Sequence, residues 1–62
     1  MTQDQLRIMI NTHTSLMRRA KRMLDERYYE LEEKGEERRW IEDYLKHKNA
    51  VEWLQTQQPD DQ

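Results

Sequence analysis

From Leu6 to Leu31 the chain repeats one pattern: Leu6, Met9, Ile10, His13, Leu16, Met17, Ala20, Met23, Leu24, Arg27, Tyr28 and Leu31 recur at spacings of three and four. That period traces a single face of an α-helix. A second run, Trp40, Ile41, Tyr44, Leu45, Lys48, Val51 and Leu54, repeats it. Strict alternation of apolar and polar residues occurs nowhere, so no strands are expected and the class is all-α. Thr2 followed by Gln5 fits a capping box, in which hydroxyl and amide satisfy each other's free backbone donors. The first helix is predicted over about residues 3–33. Asn11-Thr12-His13-Thr14-Ser15, a run of poor helix formers, is the one place inside it where a kink or break is considered. The second helix is predicted over about residues 37–57, because Pro59 bars its continuation. The polar residues 58–62 have nothing to bury and are expected to be disordered.

Between the two runs lies Glu32-Glu33-Lys34-Gly35-Glu36-Glu37, which holds the only glycine. Glycine reaches the left-handed conformation that ends many helices, Lys34 suits the negative end of one helix dipole, and Glu36 and Glu37 suit the positive start of the next. A turn over residues 34–36 makes the chain an antiparallel helical hairpin, read as a single domain over residues 1–62. The alternative is one long helix in a coiled coil, with its phase carried across Gly35 through Leu31, Lys34, Arg38, Ile41, Leu45 and Lys48. Too many charges fall on that seam. If the chain reverses about Gly35, Arg27 comes level with Glu42 and Asp43. An ion pair from Arg27 to one of them, within the hairpin or to a dimer mate, is predicted, because an unpaired charge buried in an apolar stripe costs several kcal/mol.

Size sharpens the picture. A chain of 62 residues buries only about 60% of the surface its unfolded form exposes, and with no cysteine it has neither disulfides nor thiolate metal sites to make up the difference. Two hairpins stacked face to face would close a four-helix bundle. In size and plan such a dimer resembles the RNA-regulating Rop family of hairpin dimers, with no residue motif in common. A homodimer is therefore expected, with an interface drawn from Leu6, Met9, Ile10, His13, Leu16, Met17, Ala20, Met23, Leu24, Arg27, Tyr28, Leu31, Trp40, Ile41, Tyr44, Leu45, Val51 and Leu54.

Charged residues make up 39% of the chain, yet the net charge is only −2, so no overall field draws it to nucleic acid or a membrane. No apolar run approaches the roughly 20 residues of a transmembrane helix. Without the basic start and apolar core of a signal peptide, a cytoplasmic protein is the expectation. Locally, Arg18, Arg19, Lys21 and Arg22 form a basic knot beside an acidic turn end. With Tyr29 two turns further on, and Trp53 on the other helix, these are the candidate contacts for a nucleic acid or a protein partner. The competing reading is that the arginines pair with Asp25 and Glu26 and keep the face solvated.

For chemistry the chain offers a single serine, no cysteine and no glycine-rich phosphate loop. No enzyme activity and no cofactor are expected. Asp43 and His47 stand four apart on one helical face, a spacing that suits either a divalent metal or a simple ion pair, and the ion pair is preferred. His13 reads as a hydrogen-bonded core or interface histidine. Three features favour a protein-interaction role, as adaptor, inhibitor or regulatory subunit: the meagre core, the adaptable methionines Met9, Met17 and Met23, and aromatics off the stripe. Of these last, Trp53, with Ile8 and Tyr29 beside it in kind, is expected to stay exposed in a monomer. Nucleic-acid binding through the basic knot is the alternative function.

Overall fold

The computed structural model describes residues 1–59, which form three helices: α1 (Gln3–Glu26), α2 (Tyr28–Lys34) and α3 (Glu37–Gln55). No strand occurs among the described residues. The disorder expected for Asp60, Asp61 and Gln62 falls outside them, while Gln58 and Pro59 are non-helical.

The start of α1 is the capping box read from the sequence. Gln5 N–H donates to Thr2 Oγ1 at 3.1 Å, and Thr2 N–H donates to Gln5 Oε1 at 2.9 Å. The helix then runs unbroken through Asn11–Ser15, so that run of weak formers is tolerated once neighbouring turns pack against α3. The break comes at Arg27 instead, with φ −127° and ψ 27°, and divides what the periodicity reads as one helix to residue 33. Its cause lies in the heptad. Leu6, His13 and Ala20 stand seven apart along the centre of the packed face, and Arg27 is the next step. Carrying the guanidinium into that seam would desolvate it; ending α1 there leaves Arg27 exposed.

After α2 the chain reverses at Gly35, whose φ of 69° lies in the left-handed region. Glu36 N–H reaches back to the Leu31 carbonyl at 2.8 Å and Gly35 N–H to that of Glu32 at 3.1 Å, the two bonds of a Schellman cap. Lys34 occupies the last turn of α2 and Glu37 the first turn of α3. No side chain caps α3. The other end of α3 stops at Gln55, two residues short of expectation. There Thr56 donates both N–H (3.1 Å) and hydroxyl (2.6 Å) to the Trp53 carbonyl, tightening the last turn.

Helices α1 and α3 pack against each other in a rod 50 Å long. The single continuous helix is thereby set aside, since a chain running straight through Gly35 could not bring them together. The register is the finding that sequence symmetry missed. His13 touches His47, so the long helices mirror each other about their midpoint, Glu30, and not about Gly35. Mirrored about Gly35, α3 would leave the first turns of α1 bare. The bend at Arg27 moves α3 about ten residues, some 15 Å, toward the start of α1. Leu54 then lies level with Leu6, His47 with His13, and bulky Trp40 with small Ala20, which is fully buried. Within one hairpin Arg27 consequently does not reach Glu42 or Asp43. Among the described residues it has no ion-pair partner, and the predicted cross-hairpin pair is corrected.

Among the described residues few are buried: Leu6, Ala20, Leu31, Val51 and Leu54, with His47 the one polar member. Leu31 seals the end of the rod, where short α2 touches both long helices.

At Gly35 an added Cβ would meet nothing within 4 Å, so the cost of a side chain there is backbone strain alone. Gly35→Ala should lower stability by about 1–2 kcal/mol and Gly35→Asn by less, measured by urea unfolding. An alanine variant more stable than the parent would contradict the turn.

Candidate functional site

The helical period sorts the side chains of α1 and α3 into a centre and two flanks. At the centre stand Leu6, His13 and Ala20 of α1 against Trp40, His47, Val51 and Leu54 of α3. One flank carries half-buried Ile10, Met17 and Leu24 from α1 and half-buried Tyr44 from α3, with Ile41 and Leu45 further round α3, about 120° and 160° from buried His47 and so toward its outward side. Ile41 and Leu45 remain 40% and 46% exposed, as much as many surface residues, although they belong to the apolar stripe. Antiparallel packing puts Tyr44 on the same side of the rod as the Ile10, Met17 and Leu24 row. The opposite flank is mixed. Leu16 and Arg19 there line a shallow groove with Arg39, Trp40 and Asp43, while Met9 and Met23 flank it along α1.

The stripe residues proposed as an oligomer interface therefore do two different jobs. Leu6, Ala20, Leu31, Val51 and Leu54 are consumed inside one hairpin, with His13, Trp40 and Tyr44 half-buried alongside. Met9, Leu16, Ile41, Leu45 and Tyr28 are left substantially in water, and Arg27 lies in the bend. Ile8, Tyr29 and Trp53 are exposed at 61%, 84% and 56%, on the outer surfaces.

The basic knot is split in character. Arg22 Nε donates to Glu26 Oε1 at 3.3 Å, the intrahelical pairing of the solvated-face reading. Both groups are well exposed, so the pair is worth little. Arg18, Arg19 and Arg22 line a shallow depression with Ser15 on the side of α1 away from α3. Arg18, Arg19 and Lys21 have no carboxylate partner among the described residues. Tyr29 lies beyond the bend, on α2, and Trp53 on α3, so these six residues are not a single cluster.

Within the hairpin the geometry gathers something the sequence kept apart. His13 Nδ1 and His47 Nδ1 stand 2.8 Å apart, and the rings are tilted by 39°. His47 Nε2 in turn lies 3.5 Å from Asp43 Oδ1, the contact expected from their four-residue spacing. A carboxylate near Nε2 favours the hydrogen there when the ring is neutral, and in that tautomer the lone pair of His47 is on Nδ1 and His13 Nδ1–H is the donor. The sequence placed His13 on a stripe and read His47 only as an ion-pair partner of Asp43, whereas His47 is in fact buried. Only the register shows that they meet.

No protein-family model matches this chain, and no curated protein or solved structure does so either. Among the described residues no helix is long and apolar enough to cross a membrane. The functional reading rests on the residues themselves.

One titration is displaced. The Tyr28 phenol is pushed above its ordinary range, chiefly because it donates to the Glu37 carboxylate across the turn and also because that charge opposes a phenolate; Glu32 adds to the effect. A raised folded-state value means that the contribution of this group to stability is present below the ordinary tyrosine range of about 10 and is lost as pH rises through the raised value. Ultraviolet titration of the phenols should therefore show one tyrosine ionising late, and Glu37→Gln should bring it back toward the ordinary range. Late ionisation that survives in the variant would remove the Tyr28–Glu37 contact.

Proposed function

We propose that this chain is a small helical interaction protein, an adaptor or regulatory subunit, that works by binding another protein chain through the Ile10, Met17, Leu24, Ile41 and Leu45 flank. Its first partner is a second copy of itself, the two flanks closing a four-helix bundle. The observation that carries the reading is the unfinished burial of the stripe. Ile41 and Leu45 of α3 remain two-fifths exposed or more, and Ile10, Met17 and Leu24 of α1 are only half-buried, and a chain with no disulfide gains most by covering them. Methionine at the centre of the α1 row, Met17, suits a surface that must adapt to a partner.

A second reading, nucleic-acid binding, draws on one specific observation. Arg18 and Arg19 are unpaired among the described residues and share a depression with Arg22 and Ser15. Guanidinium groups so placed would hold phosphates, and pairing two hairpins would double the patch. The net charge of −2 and the Arg22–Glu26 pair weigh against it.

Sedimentation equilibrium at tens of micromolar should find a dimer whose melting temperature rises with concentration. Leu45→Lys, at an exposed position, should leave the hairpin helical and shift the mass to the monomer. A sharply melting monomer of the parent chain, or a dimer indifferent to Leu45→Lys, would defeat the flank as the self-association surface. Titration of hairpin RNA and duplex DNA in the same buffers separates the second reading, which requires an affinity that falls steeply with salt and weakens on Arg18→Ala.

A further inference from the structure

We infer that the His13–His47 pair is a binding site for a late first-row divalent metal ion of the Zn²⁺ class, held between the two Nδ1 atoms and bridging α1 to α3. The inference stands on the packing of one hairpin and is independent of the proposed partner.

Three observations converge. First, the two imidazole nitrogens come from different helices and point at each other across 2.8 Å with no other side chain between them. Ligands of a tetrahedral ion at about 2.0–2.1 Å stand roughly 3.3–3.4 Å apart. The rings need separate by only about half an ångström, which small side-chain rotations supply. Second, the outer nitrogen of His47 faces the Asp43 carboxylate at 3.5 Å. A carboxylate on the far N–H is the usual outer support of a metal-bound histidine, holding the ring in the tautomer that aims its lone pair at the metal. Third, the rings are ordered on one side and open on the other. His47 is 8% exposed and His13 half-buried, so both are held by packing while the His13 side stays within reach of water, and binding has less entropy to overcome than between free surface histidines.

The proton count closes. In the neutral pair His13 carries its hydrogen on Nδ1; on binding, that hydrogen moves to Nε2, and the metal takes the place it left between the rings. No net proton is released from the neutral pair. Two imidazoles suit Zn²⁺, Cu²⁺ or Ni²⁺ and not the oxygen-seeking Mg²⁺ or Ca²⁺. With only two protein donors the remaining positions fall to water or an outside ligand. Because the ion ties α1 to α3, it would act as the staple that this cysteine-free chain otherwise lacks.

The test uses the full chain and ZnCl₂, with MgCl₂ as control. Calorimetric titration should saturate at one Zn²⁺ per chain, and the melting temperature should rise with Zn²⁺ and not with Mg²⁺. His13→Gln and His47→Gln should each weaken binding by more than about tenfold, while Asp43→Asn should weaken it about tenfold at unchanged stoichiometry. Imidazole ¹⁵N spectra should report metal on Nδ1 and hydrogen on Nε2 of both rings. Should His47→Gln fail to fold, His13→Gln at its half-buried position carries the comparison. Absence of saturable Zn²⁺ binding, binding undiminished by His13→Gln, or spectra placing the metal on Nε2 would each overturn the site and leave the pair as a hydrogen bond of the core.

Discussion

Everything in this molecule depends on how α3 is laid along α1, because two amphipathic helices provide little apolar area and only one alignment uses it well. The alignment places Leu54 level with Leu6, Trp40 with Ala20, and His47 against His13 at 2.8 Å. Slid back by about ten residues, to the alignment that symmetry about the glycine suggests, Leu6, Met9 and Ile10 would face the polar end of the chain. The bend at Arg27 is what permits the better choice. It shortens the first helix, sends α2 across the end of the rod, and keeps a guanidinium out of the seam.

A polar contact at the middle of such a thin core has consequences beyond its net energy. A hydrogen bond between two imidazoles is worth about 1 kcal/mol when made. Unmade, it leaves a buried donor and acceptor stranded at a larger cost. Apolar neighbours tolerate small slips, whereas the histidine pair tolerates none, so its effect is to single out one register among several that would bury similar area. The same directionality presents two nitrogen donors to whatever can replace the shared hydrogen.

The two flanks of the rod differ in chemistry for a simple reason: α3 has a wide stripe and α1 a narrow complement to it. Ile41 and Leu45 stand about 120° and 160° round α3 from buried His47, so they turn away from α1 and nothing in the hairpin covers them. The opposite flank is closed to simple apolar pairing by Arg19, Arg39 and Asp43. The exposed apolar residues of α3 and the outer arginines of α1 thus occupy different parts of the hairpin.

The sequence by itself determined what local physics controls. The all-helical class, the capping box at Thr2 and Gln5, the left-handed turn at Gly35 and the Asp43–His47 contact all depend on residues within a few positions of each other. The apolar period likewise picked out most of the residues that became the core. The tertiary structure decided what depends on distant residues. Periodicity carried the first helix through Arg27 because the phase continues there; the break answers to the cost of placing that charge against α3, which is invisible until α3 is in place. The weak formers Asn11–Ser15 stayed helical for the converse reason, packing having outweighed propensity. Most telling is the histidine pair, whose members lie 34 residues apart. Composition shows two histidines and the stripe of α1 shows that His13 turns inward, whereas His47 stands outside the stripe read for α3 and its burial, like the meeting of the two rings, depends on a register set by the summed burial of the long helices, which is a property of the packed pair and not of either segment.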